Sequence, residues 1–376
     1  MPAFQPAFRW TLVSPPNPMP LNSHHYALIL AGGRGTRFWP RSRKRSAKQV
    51  LNVIGDRSLI QTTVDRLTPL IPPDRIWILT NDVLRDVIVR QLPEIPRRQI
   101  LAEPVQRNTA PAIGLAAQIL HSLDPDALMG IFPADHVVTH PAVWRTVLKS
   151  AWKGAAAGHL MVVGIPPRWP ETGYGYVEFA GKTKTGLCQA VRKFHEKPDL
   201  AKARRYVASG RHYWNSGMFF WRTGVLLEEL RRLLPRTATI LAALPPLQNR
   251  QFSSALRRAF PLCENISIDY AVLERARNVA GIPAADFGWN DVGSWNAVYE
   301  LLPRDPHGNV IVHDSVSLDS RDNFVDARGK VVALLGVHDL IVVDTPDALL
   351  VAARDRAQSV GEILKQLESH GRHELL

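Results

Sequence analysis

The apolar run Tyr26-Ala-Leu-Ile-Leu-Ala31 breaks abruptly into Gly32-Gly-Arg-Gly-Thr-Arg37. A short apolar run of this kind reads as a strand buried on both faces, inside a sheet covered by helices. The glycine-rich loop that follows offers backbone amides, and Arg34 and Arg37 add guanidinium groups to the same turn. That combination suits a polyphosphate. Two other loops are excluded. A dinucleotide loop needs Gly-x-Gly-x-x-Gly, but Gly33-Arg-Gly35 is followed by Phe38 at the third glycine position. A P-loop needs Gly-Lys-Ser/Thr at its end, and none is present. A nucleoside triphosphate therefore fits, whereas hydride transfer and P-loop hydrolysis do not.

From Tyr26 to about Ile165 apolar runs alternate with helical segments. Strands are expected at 26–31, 75–80, 99–102, 128–132 and 160–164, and helices near 58–68, 82–91, 109–121 and 142–157. Ser58 and Gln61 have capping-box spacing at the start of the first helix. The alternation predicts an α/β fold with a Rossmann-like, mostly parallel mixed sheet flanked by helices. In such sheets ligands bind beyond the carboxyl ends of the strands. Two loops would share that edge, Gly32–Arg37 and Phe132-Pro-Ala-Asp-His136. Asp135 is placed there to hold Mg²⁺, although Pro-Ala-Asp reads equally well as a turn.

Beyond residue 166 the pattern changes. Segments 173–179 and 190–197 read as paired strands, followed by a helix at 199–209 and the segment 213–221. Together they are expected to form an insertion with its own sheet, covering a second substrate. Helices are expected near 224–234 and 268–277. Short strands at 309–313, 331–335 and 340–343, closed by a helix after Ala353, read as a small β-rich domain. The expected division is an N-terminal extension at 1–25, a main domain at 26–304 and the β-rich domain at 305–376.

The 376 residues, 45% of them hydrophobic, are enough for a large core. The formal net charge of +12 favours anionic partners. Seven Lys/Arg and no acid lie between Arg34 and Lys48, so the excess is partly local. Such a run is often only a solvated loop, but the adjoining glycines favour phosphate binding. No nucleic-acid-binding module is recognisable, so specific nucleic-acid binding is not expected. Cys188 and Cys263 are too few for a disulfide framework, which fits a reducing, cytoplasmic location. No apolar stretch approaches the roughly 20 residues of a membrane span. The first 25 residues are proline-rich and lack the apolar segment of a secretory signal, and they read as a disordered extension in which Met19 is an alternative start. His136, His195, His313 and His338 match no zinc spacing and are expected to be ordinary polar or core histidines.

Seven motifs occur in order: Leu30-Ala-Gly-Gly-x-Gly-Thr-Arg37, Lys48-Gln, Phe132-Pro-Ala-Asp135, Gly173-Tyr-Gly175, Glu196-Lys-Pro198, Asn215-Ser-Gly217 and Gly288-Trp-Asn-Asp-Val-Gly293. In this order they resemble the sugar-phosphate nucleotidyltransferases. Ala102-Glu-Pro-Val-Gln-Arg-Asn-Thr-Ala-Pro-Ala112 and Trp289-Asn-Asp-Val-Gly-Ser-Trp295 narrow the likeness to the bacterial mannose-1-phosphate guanylyltransferases. The likeness runs from about 26 to 353, and the β-rich tail resembles the short β-helical segment of the family's monofunctional members. The likeness implies the substrates GTP and mannose 1-phosphate, the products GDP-mannose and diphosphate, Mg²⁺ as cofactor, a homodimer and no membrane partner.

The likeness also implies roles by position. Gly32, Gly33 and Gly35 would cradle the triphosphate, flanked by Ala31 and Thr36, with Arg37 and Lys48 on its charge. Asp135 and Asp291 would hold the metal. Lys197 would bind the sugar phosphate, and Glu196, Asn215 and the Gly175 amide the sugar. Glu103, Arg107, Asn108 and Thr109 would lie near base or ribose, with Glu103 or a backbone carbonyl selecting guanine. Tyr174 and Trp289 would either wall the site or serve the core. The family usually has proline where Ala47 stands. Many relatives add a zinc-dependent isomerase domain, but this chain ends about where it would begin, so isomerase activity is not expected. The alternatives are the same chemistry on another sugar 1-phosphate, such as a heptose 1-phosphate, or another nucleotide, or a catalytically silent subunit of this fold.

Overall fold

The computed structural model describes Leu21 and residues 23–376, so the expectation for the N-terminal extension falls almost wholly outside the described residues. Within the first half the chain runs β1 (His25–Leu30), α1 (Leu59–Leu67), β2 (Ile76–Asn81), α2 (Asp82–Gln91), β3 (Ile100–Glu103), α3 (Thr109–Leu123), β4 (Leu128–Pro133), β5 (Val137–Val138), α4 (Pro141–Ala156) and β6 (Leu160–Ile165). There follow β7 (Tyr176–Phe179), β8 (Gln189–His195), α5 (Leu200–Ser209), β9 (His212–Arg222), α6 (Thr223–Leu233), α7 (Pro235–Ala242), α8 (Phe252–Ala259), β10 (Val279–Pro283), β11 (Trp289–Asn290) and α9 (Trp295–Leu301). The tail contributes β12 (Val310–Ile311), β13 (Ser315–Leu318), β14 (Phe324–Asp326), β15 (Val332–Leu335), β16 (Leu340–Asp344), β17 (Leu349–Ala353) and α10 (Val360–Ser369).

The central sheet has nine strands in the order β3-β2-β1-β4-β9-β6-β10-β8-β7. All run in one direction except β8 and β9, which pair antiparallel with their neighbours. Burial on both faces explains why β1 is apolar from Ala27 to Leu30. Ala27 and Ile29 point into one core with helices α1, α2 and α4, while Leu28 points into the other with α3, α6, α7 and α8. Ser58 caps α1 as its spacing predicts: its hydroxyl accepts from the Gln61 amide, and the Gln61 side chain accepts from the Ser58 amide.

Segments 173–179 and 190–197 do not make a separate sheet. They supply β7 and β8, which extend the central sheet through β10, and β7 closes back onto β9. A strand that pairs only with distant partners shows no local sign of which sheet it joins. The segment read as a helix at 268–277 forms only one π-helical turn, Asp269–Leu273. In the tail, β12, β14 and β16 stack in parallel, and β13 pairs parallel with β15. Asn309 and Asn323 sit in successive coils with their side chains hydrogen-bonded at 3.0 Å, a ladder that fixes the stacking.

A third core joins the tail to the segment after the glycine-rich loop. Phe38, Trp39, Val53 and Leu59 pack with Trp295, Tyr299, Phe324, Ile341, Val343 and Val360. Buried Arg41 pairs with Asp326 at 2.7 Å, and Arg43 with Asp347 at 3.1 Å. Part of the basic run therefore anchors the tail and is not available to phosphate. No helix among the described residues is long and apolar enough to cross a membrane.

Candidate functional site

The glycine-rich loop leaves β1 at the carboxyl edge of the sheet and is held from below. The Gln49 side chain donates to the carbonyls of Ala31 (2.8 Å) and Gly33 (3.0 Å), Thr80 Oγ1 donates to Ala31 O (2.9 Å), and Gln106 Nε2 donates to Gly32 O (2.5 Å). Ala31 is thus an anchor, with its amide also bound to Leu79. No acceptor among the described residues takes the amides of Gly32, Gly33 or Gly35. Gly35 has φ of +63°, and a Cβ there would lie 2.4 Å from Lys48 Cβ and 2.8 Å from the Lys48 amide. Only glycine lets the loop lie so close to the lysine.

Lys48 is nearly buried, and its Nζ lies 2.8 Å from Asp135 Oδ2 and donates to the Asp291 carbonyl at 2.6 Å. Three segments distant in sequence thus converge on one ammonium group. Burial opposes ionisation of Asp135, but the charges of Lys48 and His136 outweigh it and hold the carboxyl below its ordinary range. Trp289 Nε1 donates to His136 Nδ1 at 3.2 Å and so orients that ring beside Asp135. Arg37 reaches the same region, donating to Gly293 O at 3.5 Å.

Asp291 also faces the opposite side of the cleft, where Tyr174 OH donates to its Oδ1 at 2.6 Å. It is followed by Val292, a fully buried β-branched residue at φ of +48°. Such a conformation is costly and persists only where the surroundings hold it, often at functional sites. Beyond Val292, a Cβ on Gly293 would come within 2.9 Å of Asp291 Oδ2. The backbone around Asp291 is therefore shaped to the position of its carboxylate.

Tyr174 leads into the second half of the site. The Asn215 amide donates to Gly175 O at 2.8 Å, and the Asn215 side chain donates to Asp269 Oδ1 at 3.1 Å. Burial, reinforced by the negative charge of Glu196, pushes the Asp269 carboxyl up to about 6. Glu196 is mostly buried, and Lys197 Nζ lies 3.5 Å from it with its side chain largely exposed. Lys197 is itself at a positive φ of 42°. Tyr174 and Trp289 form a ring cluster with Trp214, their centroids 5.3 Å (Tyr174–Trp214) and 5.5 Å (Tyr174–Trp289) apart. The two readings of Tyr174 and Trp289 therefore merge: both rings belong to the core beneath the cleft, and Tyr174 puts its hydroxyl into it.

On the other flank of the loop lies a cavity of about 490 Å³, lined by Gly32, Gly33, Glu103, Gln106, Asn108 and Thr109 among others. Glu103 stands in its wall, 8% exposed, and its Oε1 is buried with no hydrogen-bond partner. Burial alone pushes its carboxyl up to about 8. Asn108 caps α3 at φ of +62° and accepts from the Thr109 amide. Arg107 turns away, its guanidinium donating to Pro261 O, and does not line the cavity. Gln49, Gln106 and Asp269 carry no individual role in the sequence reading. Gln49 had a signal as the partner of Lys48 in a short motif, and Gln106 as a member of the segment Ala102–Ala112; Asp269 had none.

Known proteins are similar to this chain in sequence and in fold. The family model described as Nucleotidyl transferase matches residues 26–307, and one described as MannoseP isomerase/GMP-like beta-helix domain matches 313–367. The chain is 39% identical to a mannose-1-phosphate guanylyltransferase of Escherichia coli K12, over 93% of this chain and 74% of that relative. It is 38% identical to the alginate biosynthesis protein AlgA of Pseudomonas aeruginosa, over 92% of this chain and 73% of that one. A crystal structure described as a mannose-1-phosphate geranyltransferase from Thermus thermophilus superimposes with a TM-score of 0.82 at 34% identity, covering 92% of this chain and 99% of the other.

Proposed function

The chain belongs to the nucleotidyl transferase family, among its mannose-1-phosphate guanylyltransferases, and from that premise we propose how its own residues carry the reaction. The enzyme transfers a guanylyl group from GTP to mannose 1-phosphate, giving GDP-mannose and diphosphate. The sugar phosphate is already an anion, so its oxygen attacks the α-phosphorus in line without a general base. What the protein must supply is positioning and positive charge.

The convergence of Lys48, Asp135 and Asp291 carries this reading. The free amides of Gly32, Gly33 and Gly35 receive the triphosphate, and Arg37 and Lys48 neutralise it. Glu103 accepts hydrogen bonds from the guanine edge inside the 490 Å³ cavity. Guanine alone among the common bases presents a ring N–H beside an amino group, which matches an unpartnered carboxylate. Lys197 holds the sugar phosphate, while Glu196, Asn215 and Gly175 meet the mannose. Residues 26–304 form the catalytic unit, and 305–376 brace the glycine-rich loop.

Members of this family use a divalent metal. Asp135 and Asp291 fit such an ion: they are hard oxygen donors, and Asp135 is held ionised with a cationic group already beside it. In our reading the ion is Mg²⁺, held by these two residues, and when bound it neutralises charge on the phosphate oxygens. The proposed location is the cytoplasm.

The test is a panel of four nucleoside triphosphates against mannose, glucose and heptose 1-phosphates. GDP-mannose formation is expected to dominate. Preference for UTP or dTTP, or for a heptose phosphate, would overturn the assignment, and no turnover at all would favour a silent subunit.

A further inference from the structure

Outside the cleft, one layer of the sheet carries a cluster that no step of the reaction uses. Glu178 of β7, His195 at the end of β8 and His212 at the start of β9 each offer one ligand atom, and these atoms all lie within 4.8 Å of one another. Glu178 and His212 are paired across β7 and β9, and His195 is two residues beyond the partner of Glu178 on β8, so all three project from one face. All are mostly buried, with side-chain exposures of 11%, 19% and 8% in chain order.

The carboxylate is divided in its contacts. Its Oε1 faces Arg192 at 3.3 Å and Arg211 at 3.8 Å. Its Oε2 faces His195 Nε2 at 3.9 Å and His212 Nε2 at 4.0 Å, both too long for a hydrogen bond. The far nitrogen of each ring is held by a hydroxyl. Tyr206 OH lies 3.2 Å from His195 Nδ1, and Ser209 Oγ lies 2.6 Å from His212 Nδ1. Ser209 gives its own proton to Tyr206 O at 2.7 Å, so its oxygen accepts the Nδ1–H of His212. A neutral His212 then presents the Nε2 lone pair to a carboxylate oxygen. Two acceptors facing each other across 4.0 Å leave a gap in which a cation would be favoured. Tyr206 covers the cluster, stacked on His212 at 4.2 Å.

We propose that Glu178, His195 and His212 form a site for a divalent transition-metal ion of the zinc class, tying β7, β8 and β9 together. Two imidazoles and one carboxylate, with each imidazole's second nitrogen held by an outer hydrogen bond, are the donor chemistry such an ion takes. Ligand atoms around tetrahedral zinc stand roughly 3.3 Å apart, given bonds of about 2.0–2.2 Å. The observed spacings, 3.9 and 4.0 Å from the carboxylate to the two rings and within 4.8 Å for the whole set, are wider by about 0.6–1.5 Å, so binding requires the side chains to rotate inward. With Arg192 and Arg211 on Oε1 and only one carboxylate, the site disfavours Mg²⁺ or Ca²⁺, which need several oxygens. His195 immediately precedes Glu196, so a bound ion would stiffen the strand end that carries Glu196 and Lys197.

The experiment uses full-length protein stripped with a chelator and titrated with Co²⁺, then with Zn²⁺. The expected result is one tetrahedral Co²⁺ per chain, counted by its visible bands and apart from any Co²⁺ held in the oxygen site of Asp135 and Asp291, with the bands bleached when Zn²⁺ displaces it and a melting temperature that rises with Zn²⁺. His212→Gln and His195→Gln should each abolish the bands, and Tyr206→Phe should weaken binding roughly tenfold. His195 is the less buried ligand, so its variant answers the question if His212→Gln fails to fold. Absence of tetrahedral bands in the wild type at excess Co²⁺, or the same affinity in folded His195→Gln, overturns the proposal.

Discussion

Lys48 Nζ stands 2.8 Å from Asp135 Oδ2, a nearly buried ammonium held against a carboxylate on the neighbouring strand's loop. Removing it by Lys48→Ala takes the ammonium away from Asp135 in a site built for polyanions and leaves beside it only the His136 ring, whose protonation burial disfavours. Turnover is expected to fall by about 10²–10³. Lys48→Arg should rescue little, because the space beside Gly35 is already filled and a planar fork does not replace a point charge. The pair also gives a stability signature. The Asp135 carboxyl is depressed in the fold, so its contribution is present above the unfolded value of about 3.9 and is lost as pH falls through the lower folded value. The melting-temperature difference between wild type and Lys48→Ala should therefore be full at neutral pH and vanish in strong acid. A constant difference at all pH values would show that the pair is not ionised in the fold.

Gly35 and Gly33 separate two demands on the loop. Gly35→Ala puts a Cβ on the backbone of Lys48 and occupies positive φ, so it should cost about 1–2 kcal/mol of stability as well as turnover. Gly33→Ala meets no atom within 4 Å. It should melt like the wild type, yet raise KM for GTP if phosphate approaches the backbone there. Equal melting temperatures for both variants would contradict the close packing of Gly35 on Lys48.

Much of this was legible in the chain, and the reasons for success and failure are physical. Ala27, Leu28 and Ile29 face two cores, so their strand is written as an unbroken apolar run. Ser58 and Gln61 satisfy local amides, and a local device shows in local sequence. β10 pairs with β6 far away and carries glycine and proline, so nothing nearby marks it as a strand. The basic run from Arg34 to Lys48 favours phosphate as a whole because charge is visible and its partner is not; Arg41 and Arg43 of that run pair with Asp326 and Asp347, near the other end of the chain. Gln49 and Gln106 hold loop carbonyls through side-chain amides, a role no spacing encodes. His195 was dismissed by sequence spacing, yet folding sets it beside His212 and Glu178.

Gly293→Ala tests the link between Asp291 and the metal. Its Cβ would crowd Asp291 Oδ2 at 2.9 Å, and a flexible carboxylate moves aside cheaply. The fold should survive, with turnover lowered and half-saturation shifted to higher Mg²⁺. Asp291→Asn should lower turnover more, by about 10²–10³, while Asn keeps an acceptor for Tyr174. Near-normal kcat at saturating Mg²⁺ in Asp291→Asn would remove Asp291 from the proposed metal site.

The tail predicts association. Leu318 pairs with Leu335 across β13 and β15, and they are 60% and 72% exposed, with Val316 of the same face at 55%. A second copy of the chain covering this face would make the homodimer that the family likeness implies. Sedimentation should give a dimer for the wild type and a monomer for Leu318→Glu combined with Leu335→Glu. A wild-type monomer at micromolar concentration would refute it.

Glu103 gives the pH test of base selection. Its carboxyl is pushed up to about 8 by burial, against about 4.3 when unfolded. The folded chain therefore keeps a proton that the unfolded chain releases, and stability is lost as pH rises from about 4 towards 8. Glu103→Gln should remove that decline, so the variant's melting temperature gains on the wild type across this window. Guanine donates to the ionised form, so binding GTP must first expel the proton. Wild-type affinity for GTP should rise with pH up to about 8 and then level, while the variant's stays flat. The variant should also discriminate GTP from ATP roughly 10–100-fold less, the cost of losing hydrogen bonds to a charged acceptor. If Glu103→Gln kept both the pH profile and the discrimination of the wild type, the group that reads guanine would have to be sought elsewhere in the cavity, with Gln106 and the backbone at Asn108 next in reach.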